Sequence, residues 1–150
     1  MKIYFLSSNE HKITEVRKIL SSDKIEVLAF SNKINEIQSE DMHAIARDKV
    51  IKAYKIIARP VFVEQTGLLI KKFGNLPGGL TQIFWDSLQA DKFSEFFAKD
   101  EGTATIAKTV LAYCDGRKVY TFEGEIKGDI INPPRGNREF QWDCVFQHDG

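Results

Sequence analysis

The segment Ile3-Tyr4-Phe5-Leu6-Ser7-Ser8-Asn9-Glu10-His11-Lys12-Ile13 decides the fold class. Its apolar start reads as a short buried strand, and Ser7-Ser8-Asn9 breaks the run with a polar turn. Ile13, Val16, Ile19 and Leu20 then recur at helical spacing, with Lys12, Glu15, Arg17 and Lys18 between them. Ser8 or Asn9 can cap that helix, because either side chain accepts from a free backbone N–H of the first turn. A second strand is expected over 25–30. Met42, Ile45, Ala46, Val50, Ala53 and Ile57 form the apolar stripe of a second helix. It ends near Arg59, since Pro60 disfavours helical geometry in the residue before it. Val61-Phe62-Val63 enters a third strand. The order strand–helix–strand–helix–strand predicts an α/β layer with at least partly parallel pairing.

Further along, Gly67, Gly74, Pro77, Gly78 and Gly79 punctuate an expected loop region. Residues 80–97 are aromatic and amphipathic and read as one or two helices. Residues 103–113 are rich in β-branched side chains, Asp115-Gly116 is a hairpin signal, and 119–122 and 125–131 continue as two strands. The second half is thus a β-meander with a helical insert. The expected architecture is α/β, a single domain over 1–150, with two lobes sharing one sheet and a cleft between them.

Composition narrows the function classes. The chain has 150 residues, 21 Lys+Arg against 21 Asp+Glu, and 43% hydrophobic residues. Intrinsic disorder needs low hydrophobicity and high net charge, and neither is present. Zero net charge gives no general field for nucleic acid or an anionic membrane, so neither is an expected partner. The longest apolar runs fall well short of the ~20 residues of a membrane span, and the apolar start is too short for a signal peptide. A cytoplasmic location is expected. Cys114 and Cys144 lie in no CxxC pair and read as buried reduced thiols. His11, His43 and His148 lack zinc-site spacing. The serines lack a nucleophile elbow.

Four polar clusters can carry chemistry, and each has a plainer reading. Ser7-Ser8-Asn9-Glu10-His11-Lys12, between strand and helix, can hold an anion on free N–H groups, the helix dipole and the Lys12 charge; it can equally be a capped helix. Glu36, Glu40 and Asp41 precede the helix carrying Lys49 and Lys52. Carboxylates there can hold magnesium alongside substrate phosphates, or form a solvated acidic turn. Glu64-Gln65 follows the apolar run Val61-Phe62-Val63. Ligands in α/β sheets bind outside the carboxyl ends of strands, which makes Glu64 a candidate metal ligand; the plainer reading is an exposed strand-end Glu. Phe140-Gln141-Trp142-Asp143, after Pro134-Arg135-Gly136, can sandwich a flat base or simply pack in a core.

Taken in order, these segments resemble the inosine triphosphate pyrophosphatase (ITPase) family. Ser7-Ser8-Asn9-Glu10-His11-Lys12 matches its Thr/Ser-x-Asn-x-x-Lys turn. Glu36-Ile37-Gln38-Ser39-Glu40 matches its Glu-Ile-Gln-Gly-Glu loop, and Ile45-Ala46-Arg47-Asp48-Lys49 its Ile-Ala-Arg-x-Lys helix. Val63-Glu64-Gln65-Thr66-Gly67-Leu68, Leu76-Pro77-Gly78, Pro134-Arg135-Gly136 and Phe140 to Asp143 also have counterparts. The resemblance implies an ITPase-like fold, an elongated mixed β-sheet flanked by helices with a central nucleotide cleft. It implies magnesium-dependent attack of water on the α–β linkage of deaminated purine triphosphates, releasing a monophosphate and pyrophosphate. It implies phosphate contacts from Ser7, Ser8, Asn9, Lys12 and Lys49, metal ligation by Glu36 and Glu64, and base contacts from Phe140, Gln141, Trp142 and Asp143. Homodimers are common in such families; the aromatic insert around Phe84, Trp85, Phe96 and Phe97 offers an apolar face for one, or else packs between lobes.

The departures from the family pattern are specific. The catalytic strand-end Asp is Gln65, which has similar reach but cannot accept a proton. A phosphate-binding Lys is replaced by Gln82, and the Gly between the base-stacking aromatics by Gln141. The family's base-reading C-terminal segment has no counterpart after Gln147-His148-Asp149-Gly150. With these losses the chain resembles nucleotide-sensing subunits of anti-phage systems of the Kongming type, whose partner is an NAD-consuming effector. The expectation is a sensor that binds dITP, ITP or XTP with weak or no hydrolysis. The alternative is an active magnesium-dependent house-cleaning pyrophosphatase.

Overall fold

In the computed structural model the described residues are 1–98, 103–136 and 141–148. The elements run β1 (Lys2–Leu6), α1 (Glu10–Leu20), β2 (Glu26–Phe30), α2 (Met42–Ile57), β3 (Val61–Ile70), β4 (Leu76–Gly78), α3 (Thr81–Phe97), β5 (Thr103–Cys114), β6 (Val119–Ile130) and β7 (Phe146–His148). The strands form one sheet in the order β2-β1-β3-β5-β6-β7, with β4 added to β3. β1 lies parallel to both β2 and β3, whereas β3–β4 and β6–β7 are antiparallel. The expected α/β class, a mixed sheet flanked by helices, is what the chain adopts. No helix among the described residues is long and apolar enough to cross a membrane.

The chain forms two compact units. The first takes Met1–Ile37, His43–Gln65 and Val110–Phe122; the second takes Gln38–Met42, Thr66–Thr109 and Glu123–Gly150. In the first unit, Phe5 of β1 and Phe62 of β3 are register partners. Their rings stack with centroids 4.4 Å apart and planes 6° from parallel. Ile13 of α1 and Val27 of β2 close over them. The expected Asn9 cap is present: its Oδ1 accepts from the N–H groups of His11 and Lys12 at 3.0 and 3.2 Å. On α2 the stripe Met42, Ile45, Ala46, Val50 and Ala53 is buried. Since the strand order is β2-β1-β3, the crossovers through α1 and α2 run in opposite directions along the sheet. Both being right-handed, they lay the two helices on opposite faces.

The second unit is built around Leu68, Ile70, Trp85, Phe93, Phe97 and Ile130. Trp85 and Phe97 are buried here, and Phe84 packs against the same cluster. The aromatic insert therefore serves this core, and of the four aromatics offered as an interface only Phe96 remains exposed. α3 is broken at Gln89, whose φ is 58° and ψ −178°. There the Gln89 side-chain amide donates to the carbonyls of Trp85 and Asp86, both at 3.1 Å.

Three sequence expectations are corrected. β3 does not end at the Glu64-Gln65 pair but runs through Gly67 to Ile70. Gly67 is there for close approach: a side-chain carbon would run into the Gly78 carbonyl oxygen and lie 3.0 Å from Met42 Sδ. Leu76-Pro77-Gly78, read as loop, is the short strand that makes that approach. The two strands expected over 119–131 are one, because β6 continues through Gly124.

Truncating the stacked pair should be costly. Phe5→Ala is expected to lower the unfolding free energy by about 3–5 kcal/mol, the usual cost of removing a buried ring, read by urea titration. A second outcome concerns the β5–β6 turn. Asp115 Oδ1 accepts from the N–H groups of Arg117 and Lys118, both at 2.8 Å, and these bonds hold its carboxyl below the ordinary value of 3.8. A group with a lowered folded pKa stabilises above its unfolded value and loses that contribution as pH falls through the folded one. The advantage of the natural chain over Asp115→Asn in thermal melts should therefore shrink as pH drops below 3.8.

Candidate functional site

Eight of the candidate site residues fall in the first unit: Ser7, Ser8, Asn9, Lys12, Glu36, Lys49, Glu64 and Gln65. Ser7 directly follows β1 and donates its N–H to the Phe30 carbonyl at the end of β2, 3.0 Å away. Its Oγ accepts from the Asn9 N–H at 3.1 Å. With Asn9 capping His11 and Lys12, the turn satisfies several of its own donors, and an incoming anion would have to displace side chains to use them. Ser8 is exposed beside them.

Lys12, in the first turn of α1, reaches across to β3. Its Nζ lies 3.0 Å from Glu64 Oε1, and the Glu64 side chain is only 17% exposed. Lys49 of α2 makes the matching pair, Nζ 3.0 Å from Glu36 Oε1. Glu36 sits in the β2–α2 loop, and Lys52 holds the same loop by donating to the Asn35 carbonyl at 2.6 Å. The site is thus two lysine–carboxylate pairs in one unit. Glu36 and Glu64, expected together as metal ligands, each have a lysine of their own.

Successive side chains of a strand point to opposite faces, so Glu64 and Gln65 diverge. Glu64 shares the face of Phe62, which packs with α1, and this agrees with its bond to Lys12. Gln65 points to the other face, that of α2, and is 9% exposed. The expected strand-end pair is therefore a mid-strand pair serving two faces. On the Glu64 face, Thr66 Oγ1 lies 3.0 Å from Thr109 Oγ1 of β5, a contact the sequence did not announce.

The base-reading candidates belong to the second unit. Phe140 lies outside the described residues, as does the Gln141 side chain. Gln141–Val145 forms a 3-10 turn. Trp142 is half-buried, packs on the second core, and meets the Phe146 ring edge-on at 5.9 Å. Asp143 is exposed. The Arg135 N–H donates to the Cys144 carbonyl at 2.7 Å, which ties the Pro-Arg-Gly loop to that turn. Gln82 is exposed on α3 and donates to Asp86 at 2.8 Å. Cys114 and Cys144 are buried and form no disulfide, as the sequence suggested.

A magnesium ion needs only one or two protein carboxylates when phosphates and water complete its shell. The described residues hold no group of three or more His, Cys, Asp or Glu side chains placed for a metal. That excludes an all-protein cage among them and leaves the carboxylate-plus-phosphate arrangement, for which Glu36 and Glu64 are hard oxygen donors of the right kind.

The family model described as the Ham1 family matches residues 3–150. The chain belongs to the Ham1 family. An inosine triphosphate pyrophosphatase of Puccinia graminis f. sp. tritici is 34% identical over 158 residues, covering 100% of this chain and 81% of the relative. A dITP/XTP pyrophosphatase of Saccharolobus solfataricus is 31% identical over 150 residues, covering 100% and 78%. A crystal structure of a dITP/XTP pyrophosphatase from Mycobacterium abscessus superposes with a TM-score of 0.77 at 20% identity, covering 100% of this chain and 85% of that one. A HAM1 protein from Coxiella burnetii gives 0.78 at 20%, covering 97% and 81%. The two structures speak for the fold. The names of the two sequence relatives are those of hydrolases, and they weigh toward the enzyme alternative rather than the sensing subunit expected from Gln65 in this Ham1 chain.

The pairing of Lys12 with Glu64 is open to a direct measurement. A double-mutant cycle of Lys12→Met and Glu64→Gln should give a coupling of about 1 kcal/mol, the upper end for pairs that keep solvent contact. Raising the salt concentration should reduce it.

Proposed function

We propose that the chain hydrolyses deaminated purine nucleoside triphosphates, with ITP, dITP and XTP as substrates, to the monophosphate and pyrophosphate. The observation that carries this is the whole-length likeness to relatives named for those substrates. The two lysine–carboxylate pairs support it chemically. A triphosphate brings several negative charges, and Lys12 and Lys49 are placed to exchange Glu64 and Glu36 for phosphate oxygens. Glu36 and Glu64 would then hold magnesium, which when bound neutralises phosphate charge and lowers the pKa of water. Ser7, Ser8 and Asn9 supply polar groups at the end of β1.

Gln65 sets the rate in this reading. An amide can orient water by hydrogen bonds but cannot take its proton. A missing general base costs about 10²–10⁴ in rate, so turnover is slow unless Glu64 or Glu36 assumes that role. The same residue favours a second reading: a chain that binds the triphosphate and passes the signal to a partner such as an NAD-consuming effector.

One assay separates the readings. Pyrophosphate release is followed with ITP, dITP and XTP in the presence of magnesium, beside a thermal-shift titration of the same nucleotides. Magnesium-dependent release is expected, and Gln65→Asp should raise it by up to ~10². A shift without release, in both the natural chain and Gln65→Asp, would favour the sensor. Neither shift nor release with any of the three would overturn both.

A further inference from the structure

Glu36 is a site carboxylate with little regular structure around it. It stands in the segment between β2 and α2, which contains no helix or strand, and its side chain is 39% exposed. A ligand on such a segment is useful only if its backbone is held, since a binding group must be placed before its partner arrives. Two lysines of α2 do the holding. Lys49 and Lys52 are three residues apart and leave the helix as neighbours on one face. Lys49 meets the Glu36 carboxylate, and Lys52 meets the carbonyl of the preceding residue, Asn35, at 2.6 Å. Lys52 is itself braced from one turn back, with Nζ 2.7 Å from Asp48 Oδ2. At that distance the carboxylate and ammonium make a charge-assisted contact, which keeps the ammonium in place while another of its three protons serves the Asn35 carbonyl.

We infer that Lys52 is a positioning residue for the Glu36 carboxylate. By tying the Asn35 carbonyl to α2 it fixes the backbone from which Glu36 projects, so Glu36 stays in place when Lys49 turns to phosphate. The inference rests on the reading of Glu36 as a metal-binding carboxylate. Lys52 touches neither substrate nor metal. Its pair with Asp48 is an i,i+4 pair of partly exposed side chains, 36% and 32%, a kind that adds little to stability, so its loss should loosen the loop without unfolding the chain.

The test compares the natural chain with Lys52→Met, Lys52→Arg and, as a charge control, Lys55→Met; Lys55 is exposed near the end of α2. The first readout needs no ligand. Trypsin cleavage after Lys33, exposed in the same segment, should quicken about fivefold or more in Lys52→Met, as expected for losing a charged hydrogen bond. It should stay near the natural rate in Lys52→Arg and Lys55→Met, with melting temperatures alike in all four. The second readout is the magnesium concentration giving half-maximal pyrophosphate release from ITP. It should rise about tenfold in Lys52→Met, as when support behind a metal ligand is removed, and return with Lys52→Arg, while turnover at saturating magnesium changes little. Unchanged cleavage after Lys33 overturns the inference. Faster cleavage with an unchanged magnesium requirement also overturns it, because the loop would then be held for some purpose other than Glu36. If the natural chain releases no pyrophosphate, the functional reading fails, and cleavage after Lys33 alone decides whether Lys52 fixes the loop.

Discussion

The parallel pairing of β1 with β3, sealed by the stacked rings of Phe5 and Phe62, is the constraint on which the first unit depends. It brings two strands far apart in sequence into register at neighbouring residues. Two residues past Phe5 the chain enters the Ser7–Asn9 turn; two residues past Phe62 stands Glu64. The lysine at the head of α1 can then reach a carboxylate on β3 because both elements are referred to the same ring pair. Shift the register by one residue and Glu64 turns to the other face, out of reach of Lys12.

The electrostatics follow from that placement. Two cations and two anions are paired off in a unit with no need of a structural ion pair in its apolar core. Pairs of this kind add little stability when solvent reaches them, so stability is a weak explanation for keeping both. In the proposed function their use is to hold charge ready. A polyanion can take the lysines and leave carboxylates behind, so the local charge turns negative, which a divalent cation would offset.

Much of this was legible in the sequence, and the exceptions have physical causes. The α1 and α2 helices, the Asn9 cap and the parallel start could be read from period and capping chemistry, which are local. β3 was cut short because Glu64-Gln65-Thr66-Gly67 has the composition of a turn. Its polar groups are satisfied across the sheet by Thr109 and Lys12, and Gly67 serves the approach of β4, all of them distant in sequence. Gly124 misled in the same way within β6. The candidate residues themselves were found through ordered motifs, but their pairings were not. The partition of Glu36 and Glu64 between Lys49 and Lys12 is a tertiary fact, as is the divergence of Glu64 and Gln65 to opposite faces. The weight given to Gln65 led the sequence reading toward a sensor, whereas the named relatives lend more to hydrolysis.

β3 also bears on how such a chain can change length over evolution. It supplies Phe62 to one core and Leu68 and Ile70 to another. Because its side chains alternate with a period of two, inserting or deleting one residue between Val63 and Leu68 would leave one set correctly faced and invert the other. No shift of the strand restores both. Length variation should therefore be purged from this strand and gather in connections that carry neither a site residue nor a packed side chain, where extra residues cost little more than loop entropy. The stretch that reads most like a turn is thus the one whose residue count is most tightly fixed.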